Sequence, residues 1–231
     1  MKPSVARTSP AIIALDVASA AEARALVDAL GDSADFYKVG MELYAGAGME
    51  FVRELKGRGK RVFLDLKLYD IGETVKRAVA VISQVGVDFL TIHAVKQVMQ
   101  AALAGRSGGV KLLGVTVLTS FTQEDVREDG CALGIAELVE RRVGQAKAAG
   151  MDGIVCSPLE VARVRAIAGP DMMLVTPGVR SAGASAQDQK RVATPAQAMA
   201  DGADYLVIGR QVTRAENPRA ELLKILDEIH S

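Results

Sequence analysis

Cysteine is scarce in this 231-residue chain: only Cys131 and Cys156 occur, and no CxxC spacing joins them. Cysteines so placed do not make a disulfide framework, and they read as free thiols of a reducing compartment. Histidine is as sparse, with His93 and His230 alone, and neither residue type falls at a metal-ligand spacing. A surplus of charge is also missing, since 28 Lys plus Arg balance 28 Asp plus Glu. That balance argues against nucleic acid, a polyanion that ordinarily meets a basic surface. It leaves a small charged metabolite open, because such a ligand needs only a few local charges. Nor is there a long apolar run near the N-terminus: the stretch 11–15 stops at Asp16. A signal peptide needs roughly 7–15 apolar residues and a membrane span about 20. A soluble, cytoplasmic protein without membrane association is the expectation.

What the chain does have is alternation. Short β-branched runs at 12–15, 36–39, 62–66, 89–92, 111–117, 153–155, 173–176 and 205–208 are separated by Ala-, Glu- and Arg-rich stretches. Those stretches, 21–30 and 137–149 among them, carry apolar residues at helical spacing. Glycines at 150 and 202 stop helices just before strands six and eight. Eight βα units with near-continuous apolar strands predict a closed parallel (β/α)8 TIM barrel of the α/β class. Such a barrel runs to roughly 250 residues, so residues 1–231 are expected to form one domain. A doubly wound open sheet is the main competitor, but no G-x-G-x-x-G follows the first strand. The only segment without a clear period is 181–189, rich in Ser, Ala and Gly, which reads as a binding lid.

In barrel enzymes the strand C-termini and the loops after them build the active site. Polar residues gather there in this chain: Asp16, Lys38, Asp65, Lys67, His93, Thr119, Ser120, Arg180 and the pair Gly209-Arg210. Asp65 and Lys67 are two apart, so extended chain projects both to one face, and Asp70 lies three residues further on. Carboxylates around an ammonium keep it charged, as an acid, an electrostatic stabiliser or both. A surface salt-bridge run is the competing reading of D-x-K-x-x-D; it loses ground because the apolar residues Val62-Phe63-Leu64 lead into the motif. His93 has no partner identifiable from sequence and reads as a structural histidine at the barrel mouth. The pair Met172-Met173 reads as packing.

With these residues assembled, the sequence resembles the orotidine 5′-monophosphate decarboxylase family, in its short single-domain form, along essentially its full length. The resemblance rests on Ala14-Leu15-Asp16, Lys38-Val39-Gly40, Asp65-Leu66-Lys67 with Asp70-Ile71 and Thr74, and Leu118-Thr119-Ser120. It continues through Thr176-Pro177-Gly178-Val179-Arg180, Asp188-Gln189 and Val207-Ile208-Gly209-Arg210. It implies conversion of orotidylate to uridine 5′-monophosphate and CO2 in de novo pyrimidine synthesis, without a cofactor. Lys67 would protonate C6 of the pyrimidine, Asp65 would position Lys67, and Lys38 would complete an alternating chain of charge. Asp16 and Lys38 would bind the ribose, and Thr119 and Ser120 would meet the pyrimidine. Gln189, Gly209 and Arg210 would hold the phosphate, Arg180 would support the lid, and Pro177 would be a further substrate-binding residue. Asp70, Ile71 and Thr74 would reach the neighbouring subunit's site, making the active unit a homodimer.

Two other readings stay open at this point. Metal-dependent sugar-phosphate decarboxylases or aldolases share the D-x-K-x-x-D pattern but carry an acidic ligand at the slot that Lys38 fills here. The other is a dimeric nucleotide-binding protein that kept the pocket and does no chemistry.

Overall fold

Eight runs of β-branched and aromatic residues form the strands β1 (Ala11–Ala14), β2 (Phe36–Gly40), β3 (Arg61–Leu68), β4 (Phe89–His93), β5 (Lys111–Val115), β6 (Gly153–Val155), β7 (Met173–Pro177) and β8 (Tyr205–Ile208). In the computed structural model, which describes residues 9–182 and 193–230, each strand pairs with the next and β8 closes back onto β1. Every ladder is parallel, with Ile12 opposite Val207 where the ring closes. The predicted closed barrel is therefore the observed one. The helices between and after the strands are α1 (Ala20–Leu30), α2 (Met41–Gly57), α3 (Gly72–Val85), α4 (Lys96–Gly105), α5 (Gln123–Glu128), α6 (Ile135–Ala149), α7 (Val161–Ala168), α8 (Pro195–Ala200), α9 (Arg210–Thr213) and α10 (Pro218–His230).

Local chemistry sets these boundaries. Ser19 caps α1 by accepting from the Glu22 amide, satisfying one of the helix's orphan donors. Gly86 and Gly150 stop α3 and α6 in the left-handed conformation, which glycine adopts without a Cβ penalty. The inner face of α3 carries Val75, Val79 and Ile82 at helical spacing and packs them against the barrel wall with the larger of two apolar clusters.

The smaller cluster fills the barrel itself: Ile12, Ala14, Phe36, Phe63, Phe89, Leu113, Val175 and Val207. Below it, Arg61 closes the floor, its guanidinium 4.0 Å from the centre of the Phe36 ring and 5.5 Å from that of Tyr205. Side chains two apart on a strand share a face. Climbing two residues from the apolar layer leads to Asp16, Lys38, Asp65, Thr91 and Gly209. The packed core is thus the base on which a polar layer stands, at the C-terminal end of the barrel.

Candidate active site

A cavity of about 350 Å³ opens at that end of the barrel, within the size range of small-molecule sites. Asp16, Lys38, Asp65 and Lys67 line one side of it, and Thr119, Pro177, Arg180, Gly209 and Arg210 line the rest. Nine of the residues expected from sequence are therefore brought to one place from six strand ends.

Charge alternates across the first group. The Lys38 ammonium donates to Asp16 Oδ1 at 2.7 Å and lies 3.6 Å from Asp65 Oδ2. The Lys67 ammonium donates to Asp65 Oδ1 at 2.8 Å. Burial by itself pushes the Asp65 carboxyl up, but Lys38, Lys67 and the Thr91 hydroxyl together hold it below the ordinary carboxylate range. Asp65 is consequently an anion with a cation on each side. Gly40 makes room for this pairing: a Cβ there would stand 2.9 Å from Lys38 Nζ and 3.2 Å from Asp16 Oδ1.

The strand that supplies Asp65 and Lys67 is not regular. The β3–β4 pairing holds at Phe63–Phe89 and Leu64–Leu90 and resumes only at Leu68–Ile92, so β3 carries extra residues in a bulge. Lys67 sits inside it with φ of +48°, in the left-handed region that non-glycine residues seldom occupy. Asp65 and Lys67 do face one cavity, as their two-residue spacing predicts, but on a bulged strand rather than a regular extended one.

The second group is cationic. Arg180 is buried and donates to the Val179 carbonyl at 2.9 Å. Burial and the neighbouring Arg210 both push its guanidinium pKa down, the direction that nearby positive charge imposes. Among the described residues no carboxylate lies within ion-pair distance of Arg180. Two guanidiniums converging at the ends of β7 and β8 form a place for an anion. Cys156 also lines the cavity, yet complete burial raises its thiol to about 12, so it is no nucleophile at neutral pH.

Other sequence-predicted residues stand apart from this cavity. Asp70 is exposed and accepts from the Ile71 amide at 2.6 Å, while the ion pair of Lys67 goes to Asp65. Asp70 and Thr74 line a shallow hollow on the outer side of Lys67, together with Met41 and Tyr69; Ile71 beside them is 77% exposed. Ser120 is exposed and faces a separate surface hollow with Asp125 and Glu128, leaving Thr119 as that loop's contribution. The His93 ring packs against that of Tyr69 in a tilted arrangement, 5.4 Å between centres. Burial, with Arg142 and Lys67 near it, pushes the imidazole below its usual range. Gln189 and residues 183–189 of the lid expectation lie outside the described residues. The described foot of that loop is anchored, since Ser181 donates to Glu228 at 2.6 Å and the Arg180 amide donates to the Ala193 carbonyl. Thr91 and Gly40 are site residues that residue-by-residue reasoning did not single out for a role. Their only sequence signal is position, two residues beyond an inward-facing aromatic or lysine on their strand.

A closed parallel barrel with a charged cavity at its strand C-termini is the architecture of a β/α-barrel enzyme. Residues 9–225 match the model of the Orotidine 5'-phosphate decarboxylase / HUMPS family, and the chain belongs to that family. It is 52% identical over 219 residues to a protein named orotidine 5'-phosphate decarboxylase from Rhodopseudomonas palustris, covering 94% of this chain and 92% of the relative. A protein of the same name from Caulobacter is 51% identical, with 94% and 96% covered. The crystal structure of orotidine 5'-phosphate decarboxylase from Lactobacillus acidophilus superposes with a TM-score of 0.86 at 36% identity, covering 96% of this chain and all of that one.

Proposed function

We propose that this chain is an orotidine 5′-phosphate decarboxylase that releases CO2 from C6 of the pyrimidine ring and supplies the replacing proton from Lys67. The observation that carries the reading is the chain Asp16–Lys38–Asp65–Lys67, four alternating charges on one wall of the barrel mouth. When the bond from C6 to the carboxylate breaks, its electron pair stays on C6, in the ring plane and outside the π-system. An ammonium fixed there stabilises that charge and then neutralises it by giving up a proton. Asp65 holds the ammonium in place through Oδ1. Asp16 and Lys38, at the inner edge of the same wall, bind the ribose hydroxyls, and Thr119 meets the pyrimidine from the opposite loop.

Arg180 and Arg210 receive the phosphate, with Gly209 and Pro177 leaving room for it and Gln189 joining from the loop. The energy of that remote contact supports the chemistry, because enzymes lower barriers by typically 8–23 kcal/mol, more than a single lysine contact provides. No metal step is needed in this scheme. Lys38 stands between the two carboxylates that would otherwise attract a divalent cation, and like charges repel.

The active unit we propose is a homodimer of single-barrel subunits. Asp70 makes no ion pair with Lys67 of its own chain, and Met41, Tyr69 and Ile71 beside it are large apolar residues left 65–77% exposed. A partner packed there covers that surface, brings its own Asp70, Ile71 and Thr74 to the outer side of Lys67, and sets a carboxylate against that of the substrate. The setting is the cytoplasmic synthesis of uridine 5′-monophosphate; among the described residues no helix is long and apolar enough to cross a membrane.

The decisive experiment follows orotidylate absorbance in the ultraviolet with purified protein, before and after exhaustive EDTA treatment. Loss of absorbance that survives EDTA is the predicted result. A flat trace contradicts the reading in favour of a nucleotide-binding protein. Activity lost to EDTA and restored by Mg²⁺ contradicts it in favour of a metal-dependent relative.

A further inference from the structure

Thr91 lies in the middle of β4, fully buried in the polar layer that stands on the apolar core. Its hydroxyl accepts from the backbone amide of Lys67 at 2.9 Å and donates to Asp65 Oδ1 at 2.9 Å. Asp65 Oδ1 is the same atom that receives the Lys67 ammonium. Three hydrogen bonds link four groups into a ring that closes through Lys67 itself: Lys67 amide, Thr91 hydroxyl, Asp65 carboxylate, Lys67 ammonium.

The ring sits where β3 is least able to hold itself. Between Leu64 and Leu68 the ladder to β4 is interrupted, and within that gap the Lys67 amide meets the Thr91 hydroxyl. Lys67 is also the only non-glycine among the described residues with a positive φ, a conformation that persists where the surroundings impose it. Thr91 supplies an acceptor for this amide. A hydroxyl has one proton to give, and with the amide directed at its oxygen that proton goes to Asp65. Of the two Asp65 oxygens, Oδ1 is thereby committed to Lys67 and Thr91, and Oδ2 is left to face Lys38.

We propose that Thr91 is a positioning residue for the decarboxylation: its hydroxyl fixes both the left-handed backbone of Lys67 and the carboxylate that aims its ammonium. The inference rests on Lys67 as the proton donor. Thr91 is not among the residues that line the cavity, so it acts through Lys67 and Asp65.

The test compares the wild type with Thr91→Val, which keeps the volume and loses the hydroxyl, and Thr91→Ser, which keeps the hydroxyl. Misplacing a reacting group by about 1 Å costs on the order of 10²-fold in rate, so kcat of Thr91→Val falls by roughly ten- to a hundredfold while KM changes by less than about threefold. Thr91→Ser returns kcat to within about threefold of the wild type. Carbon NMR of the Asp65 carboxyl gives a second readout: its titration moves up in Thr91→Val and stays in place in Thr91→Ser, with Lys38 and Lys67 unchanged beside it. A valine protein as active as the wild type, or a serine protein as impaired as the valine one, overturns the proposal. So does an Asp65 titration that Thr91→Val leaves unmoved. If Thr91→Val does not fold, near-wild-type turnover by Thr91→Ser supports the hydroxyl's role, and a loss of about tenfold or more contradicts it. A wild type without turnover defeats the decarboxylase reading instead, and the carboxyl titration still judges the hold of Thr91 on Asp65.

Discussion

At Asp65, burial and charge pull in opposite directions, and charge wins. Dehydration favours the neutral acid, whereas Lys38, Lys67 and the Thr91 hydroxyl favour the anion strongly enough to leave the carboxyl below its ordinary range. A carboxylate whose folded pKa is depressed contributes stability above its unfolded pKa and loses it as pH falls through the folded value. Comparing urea unfolding of the wild type with Asp65→Asn isolates this contribution, because the other acids titrate in both proteins. The stability difference between the two is expected to be flat above about pH 5 and to shift toward the asparagine variant below about pH 4. A shift toward the wild type on acidification contradicts the charge assignment. At this scale the sequence was readable wherever a charge interrupted an apolar strand, as at Lys38, Asp65 and Lys67. It was silent on Thr91, since threonine in a strand is an ordinary β-former, and on the backbone turn at Lys67, which side-chain pattern does not encode. Ser120 shows the converse: a polar residue at the right loop that faces outward.

The elements divide the work of the site. β1 to β3 carry the alternating charges, while β7 and β8 end in the two guanidiniums, Arg180 and Arg210. Phosphate held between them is worth a charge-assisted contact, about 1.5–3 kcal/mol, so Arg210→Ala is expected to weaken uridine 5′-monophosphate binding by roughly ten- to a hundredfold. Calorimetry with uridine as the control ligand checks this, because a phosphate contact leaves uridine affinity unchanged. Equal losses for both ligands place Arg210 elsewhere. All eight strands were legible from their β-branched runs, since a strand buried on both faces leaves little polar residue to blur it. Their ends were less so: β3 runs on to Leu68 and β5 stops at Val115, because the bulge and the loop after β5 are settled by contacts to neighbouring strands. The short helices α5 and α9 have too few residues to show a period.

On the scale of the whole molecule, the barrel presents a wall of alternating charge and, beside it, a rim at Met41, Tyr69, Asp70 and Ile71 whose apolar members are exposed. A dimer that shares its sites there makes a specific prediction. Asp70→Ala and Lys67→Ala proteins, each with little turnover alone, form hybrids on subunit exchange. In such a hybrid one site has Lys67 from one chain and Asp70 from the other, and the second site lacks both. Mixing is expected to restore activity toward the level of one site in two among the hybrids, followed by the orotidylate assay and with exchange verified by native mass spectrometry. Verified exchange without recovery contradicts a shared site. The expectation of an interface here came from the resemblance to known proteins, because an exposed loop pattern by itself does not distinguish an interface from solvent.

The central claim is that Lys67 delivers the proton to C6, and one comparison tests it most directly. Orotidylate consumption by Lys67→Ala is measured beside the wild type, with uridine 5′-monophosphate binding measured on both proteins. The account predicts that turnover is abolished while nucleotide binding, carried by Arg180 and Arg210 on the far side of the cavity, persists. Turnover of Lys67→Ala at the wild-type rate contradicts it.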